Sequence, residues 1–251
     1  MKNKVVVVCG PTGVGKTRCA ISLALQFGGE IIGADAVQVY RGLTIGSAKP
    51  SLPELSSVRH HLIDIVNPNE EFDAATYALK ARRAVAEVIE RGAVPFIVGG
   101  TGLYIRAVLN GIFESPPTDS YIRSTLKKKV REHGSGCLHE ELVRMDPFTA
   151  KRVHPNDTTR ILRALEVLYS TGKSISEFHR DHSFSDSPYC AFKFGLTKKR
   201  DTLYNRINQR VDLMLKEGFI EEVKNLLVQG YGAELKAMQS LGYRHIAAYL
   251  A

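Results

Sequence analysis

Residues 5–17, VVVVCGPTGVGKT, join a run of four valines to the pattern G-x-x-x-x-G-K-[ST], and this junction constrains the fold more than any other stretch. A continuous β-branched run reads as a strand buried on both faces of a parallel sheet. TRCAISLALQF follows with helical periodicity, so the motif sits between a strand and a helix, the context in which it forms a phosphate-binding loop. In such a loop Gly10, Pro11, Thr12, Gly13, Val14 and Gly15 turn successive backbone N–H groups inward, Lys16 adds a positive charge, and the Thr17 hydroxyl can ligate Mg²⁺. A di- or triphosphate is the expected ligand.

The first half continues the same rhythm. GEIIGAD and HHLIDIV read as short strands, DAATYALKARRAVAEVIERG as a long helix ended by Gly92, and AVPFIVGG as another buried strand. Alternation of this kind predicts a doubly wound α/β core. After FESPPTDS the strands stop. Thr118 or Asp119 can cap a helix through SYIRSTLKKKVREHG, and HEELVRM, FTAKRV and DTTRILRALEVLYSTG are helical without strands between them. AFKFGLT restores a strand, and residues 200–230 form a long amphipathic helix interrupted at Gly218. The expected fold is α/β: a P-loop NTPase-like parallel sheet core from residues 1–114 and 186–251, with a helical insertion at 115–185.

Composition narrows the class. A 44% hydrophobic, 24% charged chain of 251 residues can bury a sizeable core without disulfide staples. Cys9, Cys19, Cys137 and Cys190 are scattered and lack zinc spacing, which predicts buried, reduced thiols. His60 and His61 face opposite sides of a strand, and His179 and His182 lack a third ligand, so packing or surface roles are expected and no zinc. The only apolar run near the start, Val5 to Cys9, is too short for a leader or a membrane span, and a cytoplasmic protein is expected. The formal net charge of +8 is spread along the chain rather than gathered in a tail, as suits a polyanion lying across several elements.

A phosphate-hydrolysing enzyme also needs an acid at the end of a neighbouring strand. The best later strand ends in Gly99, Gly100 and Thr101 without one; Asp64, inside HHLIDIV, is a possible substitute. TKKRD at 197–201 lacks the spacing of a guanine signature. Asp35, by contrast, stands where the strand GEIIGAD ends, and ligands of open α/β sheets bind beyond the carboxyl ends of strands. A carboxylate facing a diphosphate needs a counter-role: the outer shell of Mg²⁺, or a base toward an acceptor. Capping of local N–H groups is the structural alternative.

GPTGVGKT, GADAVQVYRGLTIGSAKP, HHLIDIVNPNEEFDAATY, VGGTGLYIRAVLNG, HPNDTTRILRALEVLYSTGKSISE and MQSLGYRHIAAYL, in this order over nearly the whole chain, resemble the motif series of the tRNA dimethylallyltransferases, also called tRNA isopentenyltransferases. The resemblance implies transfer of a dimethylallyl group from dimethylallyl diphosphate to N6 of the adenosine immediately 3′ of the anticodon, with release of diphosphate. A P-loop that holds a leaving group needs no water-activating acid. Mg²⁺ is the implied cofactor, the anticodon arm of tRNA the partner, and a monomer without membrane attachment the expected form.

In the family's pattern Asp35 is the general base on the exocyclic amine and Thr101 contacts the reacting region; Asp35, Ala36, Val37 and Gln38 meet the flipped adenine and its neighbours. Lys16 and Arg210, with Arg206 one turn earlier, match residues on the diphosphate. Arg123 and the segment Thr159, Arg160, Ile161, Leu162 and Arg163 match positions that touch the anticodon arm, although Thr159 stands where the family often has Gln. Gly242, Tyr243 and Arg244 are a further implied tRNA surface, and the family continues past them with a helical segment whose lack is expected to weaken tRNA binding. The residues also admit three other readings: a small-metabolite or nucleotide kinase with Asp35 as base on a hydroxyl, a nucleotide-gated RNA-binding module, and dimethylallyl transfer to free adenine nucleotides.

Overall fold

The computed structural model describes residues 2–112, 119–182 and 186–251. The chain divides into two compact units, Met1–Gly111 with Asp186–Ala251, and Ile112–Ser185. The boundary expected at 114/115 and the alternative cap Thr118 lie outside the described residues.

In the first unit β1 (Asn3–Cys9), α1 (Lys16–Phe27), β2 (Gly29–Ala34), α2 (Leu52–Ser57), β3 (His60–His61), α3 (Ala74–Glu90), β4 (Val94–Gly99) and α4 (Gly102–Asn110) follow one another. The strands, together with a later β5 (Tyr189–Gly195), form one parallel sheet in the order β3-β2-β4-β1-β5. Val8, Ile31, Phe96 and Val98 bury one face of it under Ala20 and Ala24 of α1. Val5, Val7, Ile32 and Ile97, on the alternate positions, are equally buried. Burial on both faces is the reason the strands read as apolar runs.

The register aligns the strand ends. Cys9 pairs with both Gly99 and Gly195, and Gly99 with Ala34, so β1, β2, β4 and β5 finish level and their loops leave from one edge of the sheet. The carboxyl edge, where ligands of such sheets bind, therefore collects the P-loop, Asp35 and Thr101.

The helices follow local signals. Asp73 caps α3 by accepting the Thr76 N–H at 2.8 Å, and Tyr77, Ala78, Ala81, Ala84, Val85 and Val88 form its buried stripe. The long carboxyl-terminal helix is two, and the left-handed Gly218 separates them, as the sequence predicts.

Three expectations need correction. HHLIDIV is a strand only at its two histidines; Leu62 and Asp64 have φ of 62° and 54°, and the following backbone bonds to the 38–40 segment instead, through Asp64 N–H to Gln38 O and Ile65 N–H to Val39 O. Asp64 thereby leaves the strand and accepts Lys49 Nζ at 2.5 Å, so it is no strand-end acid for the phosphate site. The cysteines are free thiols but not buried: three are half-buried and Cys190, on the edge strand β5, is exposed. Helix α4 after Thr101 was not anticipated.

The second unit is helical: α5 (Ser120–Met145), broken at the non-helical Gly134, α6 (Pro147–Ala150), α7 (Thr158–Thr171) and α8 (Ile175–His182). Asp119 caps α5 by accepting the Tyr121 and Ile122 N–H groups. Leu126, Leu138, Leu142, Ile161, Leu162 and Leu165 are the heart of its core. Asp146, 3% exposed, accepts hydrogen bonds from Thr149 and Ser176; burial works against its charge, but these donors hold its carboxyl below the ordinary range. The first unit closes with α9 (Arg200–Lys216), α10 (Phe219–Val228) and α11 (Tyr243–Leu250).

Candidate active site

The P-loop is preformed. Gly15 caps α1 in a left-handed conformation, and Gly10 packs so closely on β5's exit that a Cβ would stand 2.6 Å from the Leu196 carbonyl oxygen. Lys16 Nζ donates to the Gly10 and Pro11 carbonyls, both at 3.0 Å, which leaves one ammonium hydrogen for a ligand. Burial lowers the Lys16 pKa, the Asp35 charge pulls it up again, and Arg210 pushes it down. The Thr17 hydroxyl, in the first turn of α1, has no hydrogen-bond partner among the described residues.

α9 runs beside this loop. A Cβ on Gly13 would lie 3.1 Å from Ile207, and one on Gly15 would lie 3.9 Å from an Arg206 guanidinium nitrogen. Arg210, one turn on and half-buried, makes no hydrogen bond or ion pair among the described residues. Burial lowers its pKa, the Asp35 charge opposes that, and Arg206 adds to it. Lys16, Arg206 and Arg210 thus gather around one space with Asp35 as the acid in electrostatic reach. A half-buried guanidinium without a partner, beside an ammonium with one hydrogen to spare, is a receptor for an anion.

Asp35 divides its two oxygens. Oδ1 accepts the N–H groups of Val37 at 2.9 Å and Gln38 at 3.3 Å, which closes a turn. Oδ2 has no partner among the described residues. The capping alternative therefore describes one oxygen, and the other remains an acceptor for a proton or a metal-bound water. Thr101 holds the same turn from the neighbouring strand: its Oγ1 accepts the Ala36 N–H at 3.1 Å and its N–H donates to Ala34 O at 3.1 Å. Gln38 spends both amide hydrogens on Ser47 O (3.1 Å) and Ala48 O (3.0 Å), leaving its amide oxygen free to read a base edge.

Behind the turn lies an aromatic wall. Tyr77 and Tyr104 stack at 4.1 Å with their rings 13° apart, and Phe72 meets Tyr104 edge-on at 6.3 Å. Burial pushes both phenols well above their ordinary pKa, and Asp35 contributes to each. Sequence reading missed this pair, because i-to-i+3 apolar spacing in α3 marks core without marking what the core faces.

Of the residues matched to a tRNA surface, three side chains point inward. Ile161 and Leu162 belong to the core of the helical unit, and Tyr243 is 0% exposed, with its hydroxyl on Glu222 Oε1 at 2.6 Å. Burial removes these side chains from any direct contact with a ligand. Arg160 is well exposed beside Asp157, and Thr159 and Arg244 are exposed too. Arg163 and Arg123 both reach the buried Glu166 Oε2, at 3.0 and 3.6 Å. Glu166 was missed as well, although a glutamate on the apolar stripe of α7 three positions after an arginine was a signal for it.

No group of three or more His, Cys, Asp or Glu among the described residues could hold a metal ion alone. The unpartnered Thr17 hydroxyl and the free Asp35 oxygen fit an Mg²⁺ that arrives with a diphosphate, since this ion commonly keeps waters and takes few protein ligands.

Comparison with known proteins places this arrangement. A family profile described as IPP transferase matches residues 38–251. A tRNA dimethylallyltransferase of Desulfosudis oleivorans is 52% identical over 250 residues, 100% of this chain and 80% of that protein. Among solved structures, the tRNA isopentenylpyrophosphate transferase of Bacillus halodurans superposes with a TM-score of 0.70 at 41% identity, covering 99% of this chain and 78% of that one. A eukaryotic dimethylallyltransferase acting on tRNA superposes with a TM-score of 0.80 at 30% identity, covering 99% of this chain and 63% of that one. The fold they share is P-loop NTPase-like.

Proposed function

Since the chain belongs to the tRNA dimethylallyltransferase, or IPP transferase, family, we propose that it moves the dimethylallyl group of dimethylallyl diphosphate onto N6 of the adenosine immediately 3′ of the anticodon in tRNA, releasing diphosphate. The chain is a tRNA-modifying transferase; the donor and the target atom are our reading. The observation that carries it is the meeting, at one sheet edge, of a P-loop with a half-restrained Asp35 and a β4 end that offers Thr101 instead of an acid. Such a site is suited to holding a diphosphate and accepting a proton, not to activating a water against a phosphoryl group.

The chemistry follows from the geometry. The P-loop N–H groups, Lys16, Arg206 and Arg210 bind the diphosphate and stabilise the charge that grows on it as the allylic C–O bond breaks and its electron pair leaves with oxygen. Thr17 would hold Mg²⁺, which supplies further positive charge to the leaving group when bound. The N6 lone pair forms the new C–N bond, and the free Asp35 oxygen takes the proton that N6 sheds. Thr101 and the Oδ1 turn keep that oxygen in place, and the Gln38 amide oxygen is set to accept from the flipped base or its neighbour. In the helical unit Arg123, Arg160 and Arg163 supply phosphate contacts.

We further propose that the protein acts as a monomer in the cytoplasm. No helix among the described residues is long and apolar enough to cross a membrane.

The test is incubation with Mg²⁺, dimethylallyl diphosphate labelled in its allyl group, and either unmodified tRNA or AMP. Label in tRNA, at the adenosine next to the anticodon, is the expected result. Label in AMP alone would assign transfer to free nucleotides instead.

A further inference from the structure

The loop that follows the Asp35 turn is anchored from a distance. Glu222, in α10, lies about 180 residues along the chain, yet Oε2 accepts the N–H groups of Thr44 at 3.1 Å and Ile45 at 2.7 Å, and Oε1 accepts that of Gly46 at 3.3 Å. Three consecutive N–H groups turned onto one acceptor form the backbone concavity that elsewhere receives an anion, and here a side-chain carboxylate fills it. Tyr243 clamps the carboxylate by donating its hydroxyl to Oε1 at 2.6 Å, and it meets Phe219 edge-on at 4.9 Å. Gly46 sits against both rings so closely that a Cβ would come within 2.0 Å of Phe219 and 2.7 Å of Tyr243.

The anchor continues into the active site through hydrogen bonds. Immediately beyond Gly46, the carbonyls of Ser47 and Ala48 accept both amide hydrogens of Gln38. The Gln38 N–H in turn donates to Asp35 Oδ1. Every link from Glu222 to the general base is thus a hydrogen bond, one peptide step or the Gln38 side chain itself, and all of them lie in the sheet-bearing unit. Charge-assisted bonds to a carboxylate are among the stronger ones, and both ends of this chain, Glu222 and Asp35, are held by them.

From this network we propose that Glu222 is a positioning residue for the transfer reaction: its carboxylate fixes the Thr44–Gly46 loop and, through Gln38, the turn that aims Asp35. The inference rests on the function proposed above for its catalytic consequence. It goes beyond that reading in assigning a role to α10, which carries no residue of the donor or acceptor site.

Deuterium exchange of the whole protein without substrate tests the network, and steady-state transfer tests its consequence. In Glu222→Gln, uptake rises in residues 43–49 and also in 35–41, while kcat falls about tenfold and KM for dimethylallyl diphosphate stays within twofold, less than the hundredfold that misplacing a reacting group can cost. Tyr243→Phe, which removes one hydrogen bond and keeps the packing, shows the same changes at smaller size, and decides the matter if Glu222→Gln does not fold. Uptake that rises in 43–49 alone, or an unchanged kcat, overturns the proposal. An unaltered protein that transfers no label to tRNA would instead contradict the proposed activity, and the exchange result would still decide the positioning network.

Discussion

Thr101 Oγ1 accepts the Ala36 N–H at 3.1 Å, so the residue that ends β4 holds the turn that begins at the end of β2. Its own N–H closes the bridge on Ala34 O. Thr101→Ala leaves the Ala36 N–H without its acceptor and loosens the turn that carries Asp35. A net hydrogen bond is worth about 1 kcal/mol, and kcat for tRNA is expected to fall about tenfold. Thr101→Ser, which keeps the hydroxyl, restores most of the rate; steady-state kinetics with both variants checks this, and equal loss in the two would contradict it.

Glu30 sets the acid limit of the sheet. Arg91 holds it with two hydrogen bonds, at 2.9 and 2.8 Å, and His61 Nε2 stands 2.6 Å away. The Arg91 bonds overcome the opposing effect of burial and, with His61, bring its pKa from 4.5 to about 2. A carboxyl with a depressed folded pKa contributes stability that is complete above its unfolded value and is lost as pH falls toward the folded one. Glu30→Gln therefore lowers the melting temperature by a few degrees at pH 7, and the difference from the unaltered protein shrinks between pH 4.5 and 2. Thermal scans across that range check it.

Glu166, 1% exposed, anchors Arg123 and Arg163 in the helical unit. Glu166→Gln removes the charge at nearly constant volume and leaves two guanidiniums that can still turn to water. Stability should drop by about 1–2 kcal/mol, below the usual loss for breaking a fully buried pair. Affinity for tRNA should fall about three- to tenfold, because the arginines lose the partner that directs them. Urea unfolding and binding at fixed salt measure the two effects.

The sheet was readable because its central strands β1, β2 and β4 are buried on both faces and its loops carry glycine at positions with little freedom. The P-loop and the strand end at Asp35 were readable for the same reason: a local pattern carries their chemistry. β3 was overextended because Ile63 and Ile65 continue an apolar alternation while the backbone at Leu62 and Asp64 turns left-handed, a choice made by tertiary bonds to residues 38 and 39. Ile161, Leu162 and Tyr243 came with motifs matched as whole segments, and a segment match does not distinguish a residue that meets RNA from one that packs beneath it. Glu222 was illegible because its partners lie on other elements, and Glu166 was missed because a same-helix arginine three residues away does not tell a buried carboxylate from a solvated pair.

Asp35→Asn isolates the central claim. Asparagine keeps an Oδ1 that can accept from Val37 and Gln38, so the turn persists, and only the free oxygen changes character. The decisive measurement is the single-turnover rate of label transfer from dimethylallyl diphosphate to unmodified tRNA, beside the dissociation constant of the diphosphate. A rate about a hundredfold or more below the unaltered enzyme with an unchanged dissociation constant is predicted for loss of a general base. An unchanged rate, or a collapse of diphosphate affinity, would contradict it, the latter by making Asp35 a metal-organising group.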